Sequence, residues 1–164
     1  MERRTHDYKR NGTRSFYAAF DVLTDNVLGR VTKRHRAKEF LDFLRQVERS
    51  TPSHFDLHLI LDNSSTHKTQ EVKTWLSKHP RITVHFTPTS ASWLNALESW
   101  FSQLERRALY RGVFTNVKEL RDAIHHYINV HNKKLAKPFV WVKSAESIIA
   151  SVQRAKESLS SVRL

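Results

Sequence analysis

The chain has no cysteine among its 164 residues, which excludes disulfide frameworks, thiolate zinc sites and cysteine nucleophiles at once. That agrees with a reducing compartment, and any metal must be held by oxygen or imidazole. No apolar run approaches the roughly 20 residues of a membrane span, and the polar start Met1-Glu2-Arg3-Arg4-Thr5-His6 leads into no signal-peptide core. A cytoplasmic protein is expected. Acidic residues are scarce: 16 Asp and Glu stand against 28 Lys and Arg, a formal net charge of +12. Such an excess attracts polyanions over long range, so nucleic acid is the leading partner. A membrane surface is disfavoured, because the basic residues run along the whole chain and no basic amphipathic helix stands apart.

The length suits one domain with its own core. Residues 1–14, with Arg3, Arg4, Lys9, Arg10 and Arg14, offer little to bury and read as a basic arm, leaving 15–164 as the domain. Ser15 to Val22 and Val27 to Thr32 flank Leu23-Thr24-Asp25-Asn26, whose Asp-Asn pair favours a turn, so a β-hairpin is predicted. Phe40, Leu41, Phe43, Leu44 and Val47 recur at helical spacing from Ala37 to Val47. Thr51-Pro52-Ser53 breaks the chain before a strand, Phe55 to Leu61, that ends on Asp62-Asn63. A helix from about Lys68 to Lys78 buries Val72, Trp75 and Leu76 before His79-Pro80 ends it.

Ile82 to Phe86 is the next strand, stopped by Pro88. Leu94, Leu97, Phe101 and Leu104 mark a helix from about Ala91 to Leu109. Asn116 and Glu119 resemble a capping pair for a helix carrying Leu120, Ile124, Tyr127 and Ile128, and a last helix covers roughly Ala145 to Ser158. This order is that of an α/β domain with at least one crossover connection.

Asp62 falls at the carboxyl end of the most apolar strand, where open α/β sheets present ligand-binding groups. An Asp-Asn pair there is equally a turn former or helix cap. Glu98 is the candidate partner, lying at the flank of the stripe formed by Leu94, Leu97, Phe101 and Leu104. At about 100° per residue Glu105 takes almost the same angular position, so helix geometry leaves the two open.

Leu59-Ile60-Leu61-Asp62-Asn63 with Thr66-His67, and His85-Phe86-Thr87-Pro88-Thr89-Ser90-Ala91-Ser92-Trp93-Leu94-Asn95 leading to Glu98, resemble the segments bearing the second and third carboxylates of mariner-like bacterial insertion-sequence transposases of the DDE superfamily. The spacing of 36 positions between Asp62 and Glu98, and the ending Lys137-Pro138-Phe139-Val140-Trp141, are similar too. The resemblance runs through nearly the whole chain. It implies a ribonuclease H-like mixed sheet flanked by helices, and metal-dependent DNA cleavage and strand transfer in the bacterial cytoplasm. Asp62 and Glu98 are then the catalytic metal ligands, with Glu98 preferred to Glu105. DNA, as transposon ends and target, is the implied partner, with a homodimer as a possible assembly. Phosphodiester cleavage needs an activated nucleophile and a stabilised leaving oxygen, which two divalent ions supply; Mg2+ or Mn2+ suits such hard oxygen ligands.

The family carries its first carboxylate on an opening strand, which the resemblance does not locate here. Asp21 falls on what corresponds to the family's second strand, and only two strands precede the first helix where three are implied. An amino-terminally shortened core, lacking the first strand, is therefore expected, with a non-catalytic DNA-binding or subunit-pairing module as the alternative. Arg34, Arg36, Arg106, Arg107 and Arg111 are candidate phosphate contacts, each also readable as a solvated charge. Asn63 and Asn95 suit either water and DNA orientation or turn and capping roles. His125, His126 and His131 read as surface residues before a metal site, and Trp93, Trp100 and Trp141 as core or interface before base-stacking platforms.

Overall fold

The computed structural model describes residues 12–87 and 96–137, together with Ser144, Glu146, Ser147, Ala150 and Arg154. Most of the expected basic arm, the Pro88 stop, Trp93, Leu94, Asn95 and Trp141 lie outside these residues. The expected last helix is described only at Glu146, Ser147, Ala150 and Arg154, which are helical except for the preceding Ser144.

Strands β1 (Ser15–Phe20) and β2 (Val27–Thr32) form the antiparallel hairpin, with Ala18 opposite Gly29. β1 stops two residues before the expected Val22 because Asp21 starts the turn. Its Oδ1 accepts from Leu23 N–H (2.9 Å) and its Oδ2 from the Thr24 hydroxyl (2.7 Å). Both Asp21 oxygens are thus engaged in the hairpin loop. Asp25 adopts the left-handed conformation (φ 60°), one that Asp tolerates better than most residues.

Alternation along the hairpin sends its side chains to two opposite cores. Tyr17, Ala19 and Leu28 face helix α1 (Ala37–Ser50), which buries the Phe40, Leu41, Phe43, Leu44 and Val47 stripe read from the sequence. Phe16, Ala18, Phe20, Val27 and Val31 face α3 (Ala96–Leu104) and α4 (Val117–Val130), which contribute Trp100, Leu104, Ile124, Tyr127 and Ile128. Helices therefore cover the hairpin on both sides.

A second pair, β3 (Leu57–Leu61) and β4 (Ile82–Phe86), is parallel and joined across α2 (Gln70–Ser77), which supplies the expected crossover. Leu57, Leu59, Leu61 and Ile82 turn toward the α1 core. The expected mixed sheet is thus present as two separate two-stranded sheets, one antiparallel and one parallel. β3 begins later than the expected Phe55, because residue 55 closes a turn through its N–H to Pro52 O (3.2 Å) and its ring is exposed. α2 likewise starts late, after a single tight turn at Ser65–Lys68.

The expected capping pair of α4 forms: Asn116 Oδ1 accepts from Glu119 N–H (3.0 Å), and Glu119 accepts from the N–H and hydroxyl of Thr115. These donors hold the Glu119 carboxyl below the usual range. At the other end of α4, Asn132 clasps the main chain of Val27, its Oδ1 accepting from N–H (2.8 Å) and its Nδ2 donating to the carbonyl (2.9 Å). His131 is buried, contrary to the expectation of a surface residue. Its Nε2 donates to Asp25 O (2.8 Å), and its ring meets Trp100 edge-on. The helical period marked the apolar stripe of α4, but the last turn reaches past it to the hairpin loop. His126 is exposed and His125 half-buried.

At the start of α1, Arg36 grips Glu39 through two hydrogen bonds of 2.7 and 3.1 Å. The guanidinium lowers the Glu39 carboxyl from its ordinary 4.5 to about 2. A carboxyl with a depressed folded-state pKa stabilises the fold above its unfolded value and loses that contribution as pH falls through the folded one. The melting-temperature gap between wild type and Glu39→Gln should therefore be constant above about pH 5 and shrink toward pH 2. A gap that stays constant down to pH 2 would contradict the pairing.

Candidate active site

Because β3 and β4 are parallel, their carboxyl ends lie side by side, and Thr87 N–H donates to Leu61 O (2.8 Å) to carry the ladder to its last rung. Asp62 follows directly. Beside it Asn63 turns inward, its Nδ2 donating to Thr87 O and its Oδ1 accepting from Lys68 Nζ (2.6 Å). Lys68 also lies over the Phe86 ring, 4.9 Å from its centre. Asn63 is thereby a clamp between the two strand ends, with both amide atoms engaged.

The Asp62 side chain is left facing solvent, 67% exposed. Oδ1 accepts from Ser64 N–H (3.0 Å) and lies 3.1 Å from His67 Nδ1. Oδ2 has no partner among the described residues. His67 is far more buried: its side chain is 11% exposed and its ring rests on Phe40, 4.2 Å between centroids. Burial pushes the imidazole pKa down, more strongly than the Asp62 oxygens raise it. The β2–α1 loop borders this site, for His35 stacks on Tyr17 (4.8 Å) and its charge also depresses His67.

Glu98 lies in the first described turn of α3, exposed and with its carboxylate unpartnered among the described residues. Its neighbours Leu97, Trp100 and Phe101 pack on the opposite side of the hairpin from the α1 core that seats Leu61. Glu105 opens a π-helical turn (Glu105–Leu109) and lines an apolar groove with Phe16, Phe101, Leu109 and Ile124. The two glutamates therefore differ in surroundings although a regular helix would superpose them. Among the described residues no group of three His, Cys, Asp or Glu side chains converges as a metal site.

Of the candidate phosphate contacts, Arg34 lies in the loop bordering His67, while Arg106, Arg107 and Arg111 follow α3; all four are exposed. Arg106 Nε donates to Ser102 O (3.2 Å). Arg36 is neutralised by Glu39. Trp100, by contrast, is core, only 2% exposed. In the sequence, His67 is marked only by its five-residue offset from Asp62 across a tight turn.

A family model for the DDE superfamily endonuclease matches residues 1–121. The chain belongs to that family. Among curated proteins it is similar to the insertion element IS630 39 kDa protein of Shigella sonnei, at 22% identity over 89 residues, covering 54% of this chain and 26% of the relative. Among solved structures it resembles a chain of the simian T-cell lymphotropic virus intasome in complex with the PP2A regulatory subunit B56 gamma. The TM-score is 0.59 at 16% identity, over 79% of this chain and 46% of that chain. This likeness supports the ribonuclease H-like α/β fold expected from the sequence. The chain spans about a quarter of the length of the curated relative. No helix among the described residues of this DDE superfamily member is long and apolar enough to cross a membrane.

Proposed function

We propose that this chain is the catalytic-core part of an insertion-sequence transposase that cleaves and transfers DNA strands with divalent metal. The observation that carries the reading is Asp62, a solvent-facing carboxylate at the adjoining ends of two parallel strands in a DDE superfamily chain. Its free Oδ2 and hard-oxygen chemistry fit Mg2+ or Mn2+. When bound, such ions supply nucleophile activation and leaving-group stabilisation at the scissile phosphodiester. Asp62 and Glu98 hold the metal. Arg34, Arg106, Arg107 and Arg111 attract backbone phosphates, whereas Arg36 keeps Glu39. Asn63 secures the strand ends rather than orienting water.

The remaining carboxylate, the family's first, lies on this reading outside the described residues, and the domain of residues 15–164 works in the bacterial cytoplasm, with a homodimer as its assembly. A second reading, a DNA-binding or subunit-pairing module without chemistry, is favoured by the absence of a converging three-ligand group among the described residues.

Nicking of supercoiled plasmid with Mg2+ or Mn2+ separates the two. The catalytic reading expects nicking that EDTA abolishes and that Asp62→Asn or Glu98→Gln reduces at least 100-fold, about 3 kcal/mol of barrier. Nicking unaffected by both substitutions sinks it. DNA retention without nicking favours the second reading.

A further inference from the structure

We infer that His67 is a positioning residue for the metal carboxylate: its Nδ1–H holds the Asp62 main-chain carbonyl and Oδ1, which directs Oδ2 to the metal. This rests on the metal-binding reading of Asp62 given above.

The tautomer follows from the neighbours. Nδ1 faces two oxygens of Asp62, the main-chain carbonyl at 3.4 Å and Oδ1 at 3.1 Å. Each is an acceptor, so Nδ1 must carry the hydrogen. The N–H is aimed at the carbonyl and lies within ion-pair reach of Oδ1. One imidazole thus restrains both the backbone and the carboxylate of the same residue.

Oδ1 also accepts from Ser64 N–H at 3.0 Å. With Ser64 N–H bonded to Oδ1, the imidazole N–H beside it and no donor on Oδ2 among the described residues, Oδ2 is the oxygen left free to hold a cation.

The imidazole is itself held. Its ring lies on Phe40, 4.2 Å between centroids, and Phe40 is 3% exposed in the α1 core. The line of support therefore runs from the core through an aromatic contact and one N–H to the main chain of Asp62, close beside its Oδ1. Partners of this kind, one shell out from a metal, commonly change metal affinity about 10- to 100-fold when removed. Ser64 alone cannot do this, because an adjacent backbone N–H turns with the loop it belongs to.

Two variants separate the donor from the packing. His67→Phe keeps a ring against Phe40 and deletes the donor; His67→Asn loses the ring and keeps an N–H near the Nδ1 position. Mn2+ binding, read by the loss of the free-ion EPR signal, should weaken roughly 10-fold or more in His67→Phe and within about threefold of wild type in His67→Asn. Nitrogen-15 NMR of wild type at a pH where His67 is neutral should show Nδ1 protonated and Nε2 bare.

Equal Mn2+ affinity in wild type and His67→Phe overturns the inference, as does the opposite tautomer. Should His67→Phe lose the fold by circular dichroism, the tautomer and His67→Asn decide. If Asp62→Asn binds Mn2+ like wild type, the metal reading of Asp62 falls and the positioning role falls with it. If Asp62→Asn loses Mn2+ while His67→Phe keeps it, only the positioning role fails.

Discussion

Asp62→Asn is expected to abolish metal-dependent nicking, at least 100-fold, while shifting the melting temperature by no more than about 2 °C. The two halves of this result come from the same geometry. Asn is nearly the same shape as Asp, and its Oδ1 still accepts from Ser64 N–H. The side chain is mostly exposed, so no apolar contact is lost. Removing its charge costs little in folding because surface ion pairs contribute about 0–1 kcal/mol. On the proposed reading the charge instead serves a divalent ion, whose stabilisation of the reacting oxygens amounts to several kcal/mol. About 3 kcal/mol is already 100-fold in rate. Plasmid nicking beside a thermal melt of the same sample checks both; a variant that nicks at a tenth of the wild-type rate or faster removes Asp62 from the metal site.

The largest effect on stability is expected at Trp100. Its indole contacts the rings of Phe16, Phe101, Tyr127 and His131, joining β1, α3 and α4. Trp100→Ala should cost about 3–5 kcal/mol, the usual range for emptying a buried aromatic position. The Nε1 atom has no hydrogen-bond partner among the described residues, so Trp100→Phe gives up no polar contact there. It should cost less than half as much as the alanine variant, through lost volume alone. Urea denaturation of the three proteins tests the ranking; equal losses for Phe and Ala would show that the indole nitrogen is bonded after all.

Local signals in the sequence were enough for the elements that carry their own periodicity. The α1 stripe from Phe40 to Val47, both edges of β2 and of β4, and the Asn116–Glu119 cap all depend on neighbours within a few positions. Asp62 was legible for the same reason, since a strand that turns wholly apolar and then stops on Asp-Asn marks its own end. Contacts spanning long sequence separations were not legible. His131 and Asn132 reach back 106 and 105 positions to Asp25 and Val27, and nothing near them in the chain announces it.

Helix geometry left Glu98 and Glu105 open on a different ground. Extrapolation at about 100° per residue assumes an unbroken α-helix, and the helix widens into a π turn at Glu105. His67 was passed over because tight turns have no period to read. Its ring is set by Phe40, which approaches from another element.

The hairpin that separates the two apolar cores gives Asp62 and Glu98 separate footings. Leu61, next to Asp62, settles into the α1 core, and Leu97, next to Glu98, into the α3–α4 core. On the proposed metal-binding reading, the separation of the two carboxylates is set by how the two cores pack on the β1–β2 hairpin. A small void in either core would tilt one ligand against the other while the fold endures. Cleavage would then fail at temperatures where the protein is still native, and the gap between inactivation and melting would report how rigidly β1 and β2 hold the two halves apart.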